Sequence, residues 1–280
     1  MRVQTQMKVK IAQIQLMVQE NLEDSIRNIE QLANQIDNDV DFIMFPEMFA
    51  CPYKTSNFPV YAEKQGEKIF RACSNLAKHT KKYLIAGSMP ELDEGNIYNT
   101  SYVFDRNGEL IAKHRKVHLF DIDVKNGQRF KESDTLSAGD KITVFDTEYG
   151  KCGLCICYDY RFPEMGRRMA LAGAKMIFVP AAFNMTTGPA HWELMFRSQS
   201  LNNQVFSVGT SPARDEGYSY VAYGHSIVTN PWGEIVGQMD EKEGIQVTEI
   251  ELDEVEEIRE QLPLLRHRRS EIYHKMCTAQ

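Results

Sequence analysis

The sequence runs to 280 residues, of which 42% are hydrophobic and 25% charged, with a formal net charge of −7 at pH 7. That is enough chain for a large α/β domain with a sizeable core, and the acidic balance argues against nucleic acid or an anionic membrane surface as a partner. No apolar run approaches the roughly 20 residues needed to cross a bilayer, and the first six residues lack the apolar stretch and small-residue cleavage site of a signal peptide, so a cytoplasmic setting is expected.

Residues 8–16 alternate with period two and read as a strand. Leu22, Ile26, Ile29, Leu32, Ala33 and Ile36 follow at helical spacing, with Glu23 and Asp24 in the first turn where they favour the helix dipole. The apolar run 41–45, closed by Pro46, completes a strand–helix–strand unit whose second strand suits a buried sheet. A helix carrying Ile69, Cys73, Leu76 and Ala77 precedes a strand at 83–87. Residues 100–104 and 109–113 flank Asn107-Gly108, a strong hairpin signal. Strands follow at 142–145 and 151–157, then a helix at 165–171, a strand at 175–180, a helix at 189–202 and a strand at 205–209. A second hairpin, 226–230 with 234–238, turns at Pro231-Trp232-Gly233. A strand near 246–250, an acidic helix and the basic stretch Arg266-His267-Arg268-Arg269 close the pattern. No repeat, low-complexity tract or linker interrupts it. Helices alternate with strands, but the hairpins exclude a purely parallel sheet. The pattern suits an α/β fold of two mixed sheets packed face to face with helices outside, with residues 7–275 as one domain.

The six cysteines are Cys51, Cys73, Cys152, Cys155, Cys157 and Cys277, too few for a disulfide scaffold, so reduced thiols are expected. Cys157 ends an apolar strand just before a helix. A residue on such a turn projects into a cleft beside backbone N–H groups, which favour thiolate and can hold an oxyanion. The same position also suits a buried structural cysteine. Cys152, Cys155 and Cys157 invite a zinc reading, but no second Cys or His pair stands at suitable spacing. Strand alternation also turns Cys152 away from the other two. No metal and no cofactor are therefore expected. Glu47, at a strand end after Phe45-Pro46, is placed to serve as a general base, although an exposed loop glutamate is the commoner outcome. Lys116 ends the strand that begins at Ala112. Alone it reads as a solvated charge; beside a thiolate it would lower the thiol pKa and hold a developing oxyanion.

Taken together, Phe45-Pro46-Glu47, Arg115-Lys116-Val117-His118-Leu119 and Cys155-Ile156-Cys157-Tyr158-Asp159 resemble the three signature blocks of the nitrilase (carbon–nitrogen hydrolase) superfamily, in that family's order. The resemblance spans Val9 to about Tyr273 and implies an αββα sandwich with a Glu47–Lys116–Cys157 triad. Within it, residues 116–124, 182–194, 215–225 and 230–234 resemble the omega-amidase branch, which cleaves the terminal amide of 2-oxoglutaramate and 2-oxosuccinamate to an oxo acid and ammonia. Deaminated-glutathione amidases are close relatives of that branch. Cys155 departs from the pattern, since relatives often carry glycine there.

The implied route is a Cys157 thioester formed with Glu47 as proton acceptor and donor, and with Lys116 and the Tyr158 N–H on the oxyanion. Glu132 matches the family's second glutamate and is expected to orient Lys116 or substrate. For the substrate's far carboxylate, Arg161 is the placed cation, with an internal ion pair as the competing use. Tyr158, Phe183 and Thr187 are expected to line the pocket, whereas Trp192 and Phe196, four apart on a helix, suit core or subunit contact. The expected partner is a small-molecule amide, and the family resemblance implies a homodimer or larger assembly. Competing readings are a nitrile, carbamoyl-amine or deaminated-glutathione hydrolase, or a non-catalytic thiol protein.

Overall fold

The computed structural model describes residues 7–125 and 127–276. Strand β1 (Lys8–Gln15) alternates, yet both its faces are buried. Helix α1 (Leu22–Ala33) begins at Asn21, whose side chain accepts the Asp24 N–H, and turns Ile29 and Ala33 inward. It stops short of Ile36, which still packs against the same cluster. After β2 (Phe42–Met44) comes a single-turn helix, α2 (Phe58–Tyr61), too short for periodicity to reveal. Helix α3 (Lys68–Thr80) ends at Lys81 in the left-handed conformation. Strands β3 (Tyr83–Ile85), β4 (Met89–Asp93), β5 (Asn96–Phe104) and β6 (Leu110–Arg115) follow. The pattern did not reveal β4, because Pro90 interrupts it; the strand lies at a sheet edge, where proline is tolerated. A small ribbon, β7 (Asp121–Asp123) with β8 (Arg129–Lys131), carries mostly exposed residues and likewise gave no apolar signal.

The second half repeats the plan. β9 (Thr143–Thr147) pairs antiparallel with β10 (Gly150–Leu154), and helix α4 (Pro163–Leu171) leads into β11 (Met176–Pro180). Helix α5 (Gly188–Asn203) precedes β12 (Phe206–Thr210), β13 (Ile227–Thr229), β14 (Ile235–Gln238) and β15 (Gly244–Glu251), and helices α6 (Glu254–Gln261) and α7 (Ser270–Met276) follow. One sheet runs β15-β1-β2-β3-β5-β4 with β6 beside β5; the other runs β14-β13-β12-β11-β10-β9. Both are mixed: β1, β2 and β3 are parallel, as are β10, β11 and β12, with antiparallel strands flanking them.

Side-chain parity explains the layering. Val9, Ile11, Phe42 and Met44 meet Leu154, Met176, Phe178 and Val208 between the sheets. The alternate residues, Ala12, Ile14 and Ile43, pack with Ile29, Ile69 and Leu76 of α1 and α3. Ile177, Val179 and Ile227 pack with Met165, Met169, Trp192 and Phe196 of α4 and α5. Strands covered on both faces read as continuous apolar runs for this reason. The result is the expected α–β–β–α sandwich. Two sheets stacked this way bring the carboxyl ends of β2 and β10 to one end of the molecule.

Candidate active site

The chain leaves β2 through a tight turn. Gly87, at φ 46°, lets the Pro46 carbonyl approach, since a Cβ there would lie 2.1 Å from that oxygen. The Ser88 hydroxyl accepts the Met48 N–H at 3.0 Å, and Glu47 is fully buried between these anchors. Lys116 lies one residue beyond β6 rather than in it. Its N–H donates to Asn99 O at 2.8 Å and its carbonyl accepts from Gly139 N at 2.8 Å. Glu132 opens a 3-10 turn after β8. β10 stops at Leu154, earlier than the sequence pattern suggested, because Cys157 adopts φ 46° at the start of the 3-10 turn Cys157–Arg161. A β-branched-free, small side chain tolerates this left-handed conformation, but it remains strained and lifts the thiol off the strand axis.

The turn brings Cys157 to a fully buried polar cluster. Lys116 Nζ donates to Glu47 Oε1 at 2.8 Å and to Glu132 Oε1 at 3.0 Å, with all three side chains at 0% exposure. Asn99 Nδ2 adds a second donor to Glu47 Oε1 at 2.9 Å. Glu132 Oε2 accepts the Phe120 N–H at 2.7 Å. Of the four carboxylate oxygens of Glu47 and Glu132, Glu47 Oε2 is the one without a hydrogen-bond partner. Burial works against the Lys116 charge, but the Glu132 and Glu47 carboxylates outweigh it and hold its pKa above the ordinary lysine value. Burial pushes the Glu47 carboxyl up, with Lys116 opposing. Burial, and then Glu47, push the Cys157 thiol well up, with Lys116 opposing more weakly. The thiol therefore resists ionisation, and the neighbouring Glu47 carboxyl keeps one oxygen without a hydrogen-bond partner.

Asp159, absent from the candidates read in the sequence, ties the cluster together. Its carboxylate takes the N–H groups of Val117 (3.1 Å), His118 (2.8 Å) and Ile156 (3.1 Å), and contacts His114 Nε2 at 3.0 Å and His118 Nδ1 at 2.8 Å. It thus joins the segment after Lys116 to the turn that carries Cys157. Burial opposes its charge, yet hydrogen bonds from His114 and His118 hold its pKa well below the carboxylate range. A depressed folded pKa stabilises the fold above the unfolded value of about 3.9 and loses that contribution as pH falls below it. Asp159→Asn turns an all-acceptor group into one that faces several N–H donors with an NH₂. We expect a loss of about 3 kcal/mol at pH 7 by denaturant titration, shrinking toward pH 3. A pH-independent loss would contradict this account.

Arg161 lies in the same turn. Among the described residues no carboxylate stands within ion-pair distance of it, so the internal ion pair considered above is not formed. Its guanidinium stacks 4.4 Å over the Phe183 ring and contacts His191 Nδ1 at 3.1 Å. Burial lowers its pKa, with the Cys157 thiol opposing. Tyr158 packs edge-on against Phe120 and Phe162. Thr187 gives its hydroxyl to Asn184 Oδ1 at 3.2 Å, at the start of α5, so its polar atom serves the local turn. Trp192 and Phe196 belong to the core and meet in a tilted ring contact at 4.7 Å. Cys152 packs between the sheets while Cys155 and Cys157 face the α4 side. No group of three or more metal-binding side chains occurs among the described residues. A cleft lined by Glu47, Tyr53, Cys51, Ala182, Asp215 and Tyr220 opens beside the cluster.

The profile of the carbon-nitrogen hydrolase family matches residues 8–260. The omega-amidase NIT2-A of Xenopus laevis is 46% identical over 271 residues, covering 95% of this chain and 97% of that protein. The human omega-amidase NIT2 is 45% identical over 268 residues, covering 94% and 96% respectively. The crystal structure of Saccharomyces cerevisiae Nit3, a member of branch 10 of the nitrilase superfamily, superposes with a TM-score of 0.84 at 42% identity, covering 94% of this chain and 97% of that one. The class is thereby defined as an enzyme of the nitrilase type. The chain belongs to the carbon–nitrogen hydrolase family.

Proposed function

We propose that this chain is an omega-amidase, a single carbon–nitrogen hydrolase domain that cleaves the terminal amide of a small 2-oxo dicarboxylic acid monoamide through a Cys157 thioester. The supporting observation is the free Glu47 Oε2 in a buried cluster where Lys116 already neutralises one carboxylate. That oxygen takes the Cys157 proton while sulfur bonds to the amide carbon. The resulting oxyanion is held by Lys116 Nζ and the Tyr158 N–H, donors worth about 10²–10³ in rate each. Glu47 returns its proton to the nitrogen as the carbon–nitrogen bond breaks, and ammonia leaves. Glu47 then takes a proton from water, hydroxide adds to the thioester carbon, and the carbon–sulfur bond breaks with the thiol reprotonated. Glu132 holds Lys116 by accepting a second hydrogen bond from its Nζ at 3.0 Å.

Arg161 is assigned to the far carboxylate of the substrate, with Phe183 and Tyr158 shaping its surroundings. A half-buried guanidinium without a carboxylate of its own suits that role, because it supplies paired donors already stripped of much of their water. The similarity to two proteins named omega-amidases supports the substrate class.

The test is ammonia release from 2-oxoglutaramate, run beside deaminated glutathione and a simple nitrile. Release from 2-oxoglutaramate alone upholds the proposal; turnover of another substrate in its place replaces the substrate class. In the same assay, Arg161→Met should raise KM for 2-oxoglutaramate about 10- to 100-fold, as expected for loss of hydrogen bonds to a charged group. Turnover of a neutral short-chain amide should change little. Equal losses on both substrates would remove Arg161 from carboxylate recognition.

A further inference from the structure

The carboxylate pair carries one more contact, made by a residue that the signature blocks do not contain. Tyr53 lies in the loop between Glu47 and α2, and its hydroxyl is 2.6 Å from Glu132 Oε1 and 3.3 Å from Glu47 Oε1. Its ring is locked by Phe58 (5.6 Å, edge-on), Phe130 (5.3 Å) and Tyr220 (4.4 Å). One face of the same side chain lines the cleft. A phenol has a single proton to donate, and both of its neighbours are acceptors. The shorter contact places that proton on Glu132, and the longer one leaves it within reach of Glu47.

Counting charge shows why this matters. Two carboxylates and one ammonium share a dry site, so one negative charge has no cationic partner. Buried charge of that kind needs neutral donors. Asn99 supplies one to Glu47 and the Phe120 N–H one to Glu132. Tyr53 is the donor that touches both.

We propose that Tyr53 is a positioning residue for the base: its hydroxyl holds the Glu47–Glu132 pair in place and sets the pH at which Glu47 can accept the Cys157 proton. This rests on the thiol-hydrolase reading of the site. The titratable groups facing Tyr53 are Glu47, Glu132, Cys157 and Tyr220, with Lys116 as the cation bonded to both carboxylates. The sign follows from the donor. A hydrogen bond given to a carboxylate favours its ionised form, so removing the hydroxyl lets the pair hold a proton to higher pH. The acid limb of the pH–rate profile then moves upward. A ring that acted only as cleft wall would leave the limb where it is.

The experiment is Tyr53→Phe, which keeps the ring and its packing. Two profiles are measured against pH on wild type and variant: kcat/KM for 2-oxoglutaramate, and the rate at which iodoacetamide inactivates or labels Cys157. The expected result is an upward shift of the acid limb by about one unit in both, with kcat lowered roughly tenfold and KM nearly unchanged. Superimposable profiles would overturn the proposal. Labelling needs no substrate, so it separates the two ideas. A shifted labelling profile in a protein that hydrolyses no amide keeps Tyr53 and removes the amidase reading. An unshifted one in an active enzyme does the reverse.

Discussion

Cys157→Ala is expected to abolish ammonia release and to leave the fold intact. The Cys157 thiol is the group proposed to carry the acyl group, since Glu47 and Glu132 are engaged with Lys116 and the Sγ of Cys51, which also lines the cleft, contacts the Pro52 carbonyl at 3.6 Å. Loss of a nucleophile commonly costs on the order of 10⁴-fold or more in kcat. Structurally the change is mild. It removes one sulfur atom from a residue at the mouth of a turn, and alanine tolerates φ 46° about as well as cysteine does. Ammonia release by the variant within tenfold of wild type, at equal thermal stability, would remove the nucleophile assignment. An inactive variant that had also lost its thermal transition would say nothing about chemistry, so the melting curve is part of the measurement.

Lys116→Met should cost both activity and stability, and the stability loss should depend on pH. Methionine fits the space of the lysine stem, but Glu47 and Glu132 then face each other in a dry site without a cation. Removing one partner of a buried ionic set costs about 3–5 kcal/mol. The Glu47 carboxyl already sits above its ordinary pKa because burial outweighs Lys116, and losing Lys116 raises it further. A carboxyl whose folded pKa lies above the unfolded value of about 4.3 destabilises the fold as pH rises. The variant should therefore be weakest at neutral and alkaline pH and recover as pH falls and Glu47 takes up a proton. Denaturant titrations at pH 5 and pH 8 check this; an equal loss at both would show that the carboxylates had relaxed into water. Activity should fall about 10²-fold or more with the lost oxyanion donor.

Much of the architecture was legible because burial leaves a periodic trace. The doubly covered strands 42–44 and 176–180 are continuous apolar runs, and α1 and α3 carry their stripes openly. Elements without such a trace were missed or misplaced. The edge strand β4 contains a proline, the ribbon β7–β8 is exposed, and α2 is a single turn. The apolar run through Cys157 looked like uninterrupted strand, yet the backbone breaks from it after Leu154. Apolar composition records burial and not φ.

The sequence by itself determined which residue types were available for chemistry, in which order, and on which strand ends; the three short blocks around Glu47, Lys116 and Cys157 carried that much through the family resemblance. Only the tertiary structure decided what those residues do to one another. Tyr53, Asn99 and Asp159 are ordinary polar letters in the chain and become donors or clamps because two sheets stack and bring the segments after β2 and β10 beside Asn99 of β5. Arg161 could have been an internal ion-pair partner or a free cation until the packing left it without a carboxylate. Hydrogen bonding and charge compensation act over about 3 Å between residues tens of positions apart, and that proximity exists only in the folded chain.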